Sequence, residues 1–230
     1  MELRKWTELP EKMRTREVRR YYNILMKRSG WFKMKRVIDI VVSVGALIVL
    51  ALPMLVIAIM IKRDSKGPVF FRQERVTQYG RIFNIYKFRT MVHNAPELGS
   101  QVTVNNDVRI TKVGKVLRRY RFDEFPQLFN IIAGDMTLVG TRPEVKKYVK
   151  QYTPEMYATL LLPAGLTSWT SIAYKNEDKL LMDADNADET YVKEILPVKM
   201  KYNLESLRNF GLKIELKVLI ETVLSGIRKK

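Results

Sequence analysis

Asp123 and Glu124 stand side by side in the run Arg118-Arg119-Tyr120-Arg121-Phe122-Asp123-Glu124-Phe125-Pro126-Gln127-Leu128-Phe129-Asn130, with Gly134-Asp135-Met136 and Gly140-Thr141-Arg142-Pro143-Glu144 just downstream. Adjacent carboxylates among arginines suit chemistry at a phosphorus centre: one attacks as nucleophile while the other positions a metal or moves a proton. Two carboxylates repel phosphate unless a cation intervenes. Mg²⁺ is the expected bridge, because it takes a few carboxylate oxygens together with substrate phosphates. Lys87, Arg118 and Arg142 are the candidates to hold the remaining negative charge. A plainer reading uses the same residues. Phe122, Phe125, Phe129 and Ile132 have helical spacing, so Asp123 with Pro126 soon after marks a helix start whose free N–H groups the carboxylate caps. The cations are then solvated surface. A helix start also favours phosphate, since unpaired N–H groups and the dipole point at it, and spacing leaves both readings open.

The element that must place these residues is an apolar run, Ile40 to Ile61, without a charge over 22 residues. Lys33, Lys35 and Arg36 precede it, and Lys62, Arg63 and Lys66 follow it. About 20 apolar residues suffice for a crossing, but Lys and Arg are retained on the cytoplasmic side, and here both flanks carry that signal. Pro53 sits near the middle, where a missing donor and a steric clash bend or break a helix. A helical hairpin that dips into one leaflet and returns fits both features; a kinked spanning helix with an exported C-terminal domain is the competitor. The run starts too far from Met1 and is too long for a secretory signal, so it is expected to stay in the mature protein.

Charge points to the same surface. The chain has 41 Lys plus Arg against 24 Asp plus Glu, a formal +17, and +8 of it lies in residues 1–36. Anionic headgroups attract such a segment within a Debye length, as a plain solvated lead-in would not need. Without cysteine there is neither a disulfide framework nor a thiolate metal site. His93, the only histidine, has no cysteine or second histidine to join it at a zinc site and receives no role.

Organisation follows. Residues 1–34 read as a basic arm, 35–63 as the membrane helix and 64–230 as one cytoplasmic domain. Val69 to Val76 and Arg81 to Arg89, around a Thr77-Gln78-Tyr79-Gly80 break, read as a β-hairpin; Ala95 to Asp107 reads as a loop. Leu216, Leu219, Ile220, Val223, Leu224 and Ile227 share one helical face, expected to pack on the core or lie on the membrane. There is no P-loop or dinucleotide glycine fingerprint. The fold class is α+β: a monotopic membrane protein with a re-entrant hairpin, a small β-hairpin and surface amphipathic helices.

The order of the apolar run, KGPVFFRQERV, FNIYKFRTM, RITKVGKVLRR, FDEFPQLFNIIAGDMTLVGTRPE and GLTSW resembles the bacterial sugar transferases, the monotopic phosphoglycosyl transferases. The resemblance runs from about residue 33 to the C-terminus. It implies transfer of a sugar 1-phosphate from a UDP-sugar to undecaprenyl phosphate, releasing UMP, at the cytoplasmic face of the bacterial inner membrane. It further implies Mg²⁺ and a covalent phosphosugar-aspartate intermediate. Carried over residue by residue, Asp123 is the nucleophile, Glu124 its dyad partner, Lys87, Arg118 and Arg142 the phosphate and nucleotide contacts, and Pro53 the helix break.

The chain departs from the pattern in three places. Leu52 precedes Pro53 where members commonly have serine. PAGLTSW and TSIAYKNE stand where many read PGITGW and a QVNGR-like run, so Lys175 keeps the charge of a family arginine without its bidentate fork. Glu215 falls at a family acidic position, with a solvated helix-face glutamate as the alternative. Two other classes remain. One is a non-catalytic, membrane-anchored basic interaction module in which Asp123 only caps a helix. The other is a nucleic-acid binder using phosphate contacts and base stacking, which the uninterrupted apolar run argues against.

Overall fold

A computed structural model describes residues 2–92, 95, 107–174 and 186–227. His93, Lys175 and the interior of the Ala95–Asp107 segment lie outside the described residues. Two short 3₁₀ turns lead into α1, Arg16–Met26, whose N-terminus is capped by the Thr15 hydroxyl accepting from the Val18 N–H. The expected basic arm is thus a structured element with an apolar underside. Leu9, Met13, Val18, Tyr21, Tyr22 and Leu25 enter the largest core cluster beside Tyr148, Leu161, Leu196 and Met200. Its arginines and lysines stay on the outer side, as long cationic side chains do.

α2, Gly30–Asp64, is one 35-residue helix containing Pro53 and is long and apolar enough to cross a membrane by length and composition. The expected break at Pro53 is not an interruption of the helix. Its buried residues are Phe32, Lys35, Asp39, Ser43, Met54, Ile57 and Ile61, with Ala46, Leu47 and Leu50 partly covered between them. Steps of three and four place them along one stripe. The opposite face, including Val41, Ile48, Val49, Leu52 and Leu55, is exposed and apolar.

The anticipated hairpin is present: β1, Phe70–Val76, pairs antiparallel with β2, Ile82–Phe88, from Phe70 opposite Phe88 to Val76 opposite Ile82. α3, Lys112–Tyr120, is capped by Thr111 and followed by a 3₁₀ turn, Phe122–Glu124, and by α4, Gln127–Ala133. β3, Met136–Val139, pairs parallel with β4, Ala164–Thr167. The short helices α5, Lys146–Val149, and α6, Trp169–Ala173, flank β4 in the chain. α7, Ala187–Thr190, a π-helical turn Tyr191–Ile195, and α8, Leu196–Arg208, then run together, and α9, Leu212–Ile227, closes the described chain.

The face of α9 singled out from its spacing is turned outward: Leu216, Ile220 and Val223 are exposed, whereas Val218 is buried and Leu219 only partly covered. Apolar periodicity marks a face without naming what covers it.

The sheet of β3 and β4 imposes one severe contact. A Cβ added at Gly165 would lie 2.2 Å from the backbone N and O of Gly140, two residues before Arg142. Gly165→Ala is therefore expected to cost about 1–3 kcal/mol through overpacking, seen as a lowered unfolding midpoint in detergent. An unchanged midpoint would show that the two strands separate without cost.

Candidate active site

Four pieces of chain converge on the carboxylate pair. α3 ends at Arg121, which takes the left-handed conformation (φ 60°, ψ 20°) and donates its N–H to the carbonyls of Arg118 and Leu117. This turn, unusual for a residue with a Cβ, sends the chain directly into the 3₁₀ turn that carries Asp123 and Glu124. Asp123 does not cap α4: Pro126 occupies the capping position, and no side-chain cap is made there. The helix-cap reading of Asp123 fails for that reason.

Glu124 is held by cations from three directions. Its Oε1 accepts from Arg142 Nη2 at 2.5 Å, Lys87 Nζ at 3.2 Å and Arg121 Nη1 at 3.3 Å, and its Oε2 lies 3.4 Å from Arg142 Nη1. Burial alone would raise its pKa; Arg142, Lys87 and Arg121 outweigh that and hold it well below the usual carboxylate range. Asp123 has the opposite fate. Its Oδ2 is 3.9 Å from Lys87, and its buried Oδ1 has no hydrogen-bond partner. Burial raises its pKa, with the negative charge of Glu124 adding to the shift and Lys87, Arg118 and Arg121 opposing it. Adjacent carboxyls so divided take different roles: one a fixed counter-ion, the other a reactive oxygen.

Lys87 itself has a lowered pKa, chiefly from burial, with Glu124 pulling back and Arg142 adding to the fall. Its strand is fixed by a residue the sequence did not single out. Asn130 of α4 accepts from the Tyr86 N–H at 2.9 Å and donates to the Asn84 carbonyl at 2.8 Å, completing the edge of β2 next to Lys87. A lone asparagine among Leu128, Phe129, Ile131 and Ile132 was the available signal. Arg121 carried none, because only glycine or asparagine advertises a left-handed turn.

Arg118 donates from Nε to Thr90 Oγ1 at 2.9 Å and acts on Asp123 through its charge. Arg142 follows β3, and its loop is fixed from behind. Arg75 donates to the Pro143 carbonyl, and buried Glu144 accepts from Tyr191 at 2.5 Å and lies 3.4 Å from Lys199. Glu215, expected near substrate, has other partners: Lys35 Nζ at 2.9 Å and, through it, Asp39 of α2. The structure therefore brings Lys87, Arg118, Asp123, Glu124 and Arg142 together and assigns Glu215 to a buried ion pair between α2 and α9.

Among the described residues, no group of three or more His, Cys, Asp or Glu side chains has the arrangement to hold a metal by itself. The pair fits Mg²⁺ in its usual form, where one or two carboxylates act with substrate phosphates. Asp123 and Glu124 are the carboxylates that would hold it, Glu124 Oε2 being the less occupied of that residue's two oxygens.

Residues 30–229 match the family model described as bacterial sugar transferase. The chain belongs to the bacterial sugar transferase family. It is 36% identical over 193 residues to the UDP-N-acetylgalactosamine-undecaprenyl-phosphate N-acetylgalactosaminephosphotransferase of Aeromonas hydrophila, covering 82% of this chain and 42% of that protein. It is 34% identical over 196 residues to the UDP-glucose:undecaprenyl-phosphate glucose-1-phosphate transferase of Klebsiella pneumoniae, covering 85% and 40%. An undecaprenyl-phosphate galactose phosphotransferase of Salmonella typhimurium is 36% identical over 173 residues, covering 69% and 36%. The chain thus spans about two fifths of the length of these bacterial sugar transferases. Their names carry three different sugars, so likeness to them selects none.

The raised pKa of Asp123 has a signed consequence. A carboxyl raised on folding stabilises fully below its ordinary value of 3.8 and loses that contribution as pH rises through its raised value. At neutral pH its charge therefore opposes folding. Asp123→Asn is expected to raise the unfolding midpoint at pH 8, with a smaller gain at pH 5. A midpoint lowered equally at both would show that the charge is fully compensated in the fold.

Proposed function

We propose that this bacterial sugar transferase transfers a sugar 1-phosphate from a UDP-sugar to undecaprenyl phosphate, releasing UMP, as the first step in assembling a polysaccharide or related glycan. One observation carries the reading: Asp123 Oδ1 is buried and without a hydrogen bond beside a glutamate already neutralised by Lys87, Arg121 and Arg142. Asp123 attacks the β-phosphorus of the UDP-sugar, forming an aspartyl phosphosugar as the bond from that phosphorus to the bridging oxygen breaks and UMP departs with the electron pair. An oxygen of the undecaprenyl phosphate then attacks the same phosphorus, freeing Asp123 and yielding the lipid diphosphosugar. The substrates act in turn, as covalent catalysis requires.

Glu124 orients Arg142 toward the leaving phosphate through the paired contacts to both of its oxygens. Lys87 and Arg118 hold negative charge that builds on the transferring group. Mg²⁺, held by Asp123 and Glu124 with substrate phosphates, would supply charge neutralisation at the diphosphate. Burial suits the reaction: a poorly solvated carboxylate is the more nucleophilic, and water that would hydrolyse the acyl phosphate is kept out.

The same reading places α2 as a re-entrant helix and the remaining domain on the cytoplasmic face. In support, both arms flanking Pro53 are fastened to one polar domain. Asp39 accepts from Thr137 and Leu138 upstream, and Asp64 accepts from the Val113 N–H downstream. A straight crossing would part these ends by the bilayer thickness. The outward apolar side chains of α2 and α9 are then lipid-facing, with the basic flanks at anionic headgroups.

UMP release from a panel of UDP-sugars, with Mg²⁺ and undecaprenyl phosphate, tests the proposal. The expected result is lipid-dependent UMP from one sugar and a loss on the order of 10³-fold or more in Asp123→Asn, together with a phosphosugar adduct on Asp123 by mass spectrometry when the lipid is withheld. Full turnover by folded Asp123→Asn would overturn the assignment.

A further inference from the structure

The elements around the carboxylate site, α3, α4, β3 and the end of β2, are each tied to α2 by a polar contact, although α2 contributes nothing to the site itself. Arg36 donates to the Ile131 and Ile132 carbonyls at 2.6 and 2.8 Å, closing the C-terminal end of α4, the helix that follows the dyad. Asp64 accepts from the Val113 N–H at 3.0 Å, in the first turn of α3, which leads to Arg118 and Arg121. Arg89, two residues after Lys87, donates to the Ser65 and Ile61 carbonyls at 2.6 and 3.3 Å and so closes the C-terminal end of α2.

The fourth tie is the most deeply buried. Asp39, 2% exposed, accepts from Thr137 Oγ1 at 2.6 Å and from the Leu138 N–H at 3.1 Å. β3 pairs with β4 alone, and Asp39 takes up the Leu138 N–H. From there the path to the site is short. Gly140 donates to the Thr167 carbonyl, Thr141 accepts from the Gly165 N–H, and Arg142 is the next residue. Lys35, 1% exposed, sits 3.5 Å from Asp39 and 2.9 Å from Glu215 of α9, so the Asp39 charge is partnered and its carboxylate held in place.

A helix that only anchors the protein needs no such groups. Burying Lys35 and Asp39 costs desolvation, and apolar side chains of similar volume fill such sites at no loss of stability, so a buried pair of this kind serves geometry better than it serves stability. We propose that Asp39 is a positioning residue of the active site: through Thr137 and Leu138 it sets β3, and with it the aim of Arg142 at Glu124, so that the membrane helix also sets the catalytic geometry. This rests on the transferase reading given above.

The test uses the full chain in lipid nanodiscs, with Asp39→Asn, Thr137→Val and the double variant. Thr137→Val removes one of the two bonds to Asp39 while keeping shape. Each single variant is expected to lower kcat for UMP release by about 10²-fold, the effect of a misplacement near 1 Å, with KM for the UDP-sugar little changed. The double variant should lose no more than the worse single one, because the bond that Thr137→Val removes is one of the two by which Asp39 holds β3. Hydrogen exchange read by mass spectrometry should quicken in residues 136–144 and stay unchanged in α8. Unchanged kcat, additive losses, or quickened exchange across the whole chain would each overturn the proposal. A wild-type protein silent on every UDP-sugar, with the exchange change still confined to 136–144, would sink the transferase reading and leave the coupling standing.

Discussion

Two adjacent carboxylates in a buried site need cations to offset their charge, and the fold meets that need far more closely for one than for the other. Glu124 collects Lys87 from β2, Arg121 from the end of α3 and Arg142 from the loop after β3. No local stretch of chain supplies these three, so the hairpin, the α3–α4 turn and the β3–β4 sheet must meet at one point. Asp123, one residue away, is left with Lys87 at 3.9 Å and an oxygen bound to nothing. The asymmetry comes from geometry, since both side chains are buried and differ mainly in how closely the cations approach.

Local chemistry wrote itself plainly into the chain. The alternating Phe, Val, Ile and Tyr around Thr77–Gly80 produce the hairpin, and its register fixes Lys87 at the dyad. Arg118 and Arg142 stand near the carboxylates as their spacing suggested. What escaped notice depends on partners far away in sequence or on backbone conformation. Arg121 holds a left-handed turn that its side chain does not advertise. Asn130 completes an edge strand more than 40 residues upstream. Glu215 looks like a helix-face residue until Lys35, 180 residues away, is placed against it.

Residues 1–34 carry a second pattern beneath their charge. Positive charge dominates there and marks a basic arm, while Met13, Val18, Tyr21 and Leu25 supply the apolar stripe of α1 and its lead-in, and the charges occupy the other face. α2 shows the reverse. It is apolar nearly all round, so no periodicity separates the side that meets the domain from the side that does not. Only its few polar residues mark the buried face: Lys35, Arg36 and Asp39 precede the apolar run, Asp64 follows it, and Ser43 lies within it. Read from sequence they look like flanking charge. Placed on the helix they are the points where the domain takes hold.

That arrangement suits the lipid-borne acceptor of the proposed reaction. A phosphate attached to an undecaprenyl chain is confined to headgroup depth, so a nucleophile that serves it must be held at that depth to within the few ångströms that separate reacting atoms. A flexible linker between anchor and domain would spread the domain over many depths and orientations. Polar contacts on both arms instead fasten α2 to α3, α4, β3 and the end of β2. Apolar packing alone would allow the helix to slide along its own stripe, because Leu, Ile and Val offer many near-equivalent contacts. Hydrogen bonds to named carbonyls and N–H groups do not. The buried polar residues of α2 are thus best understood as fixing register, and under the proposed reading the desolvation they carry is the cost of holding a carboxylate at a set distance from a membrane surface.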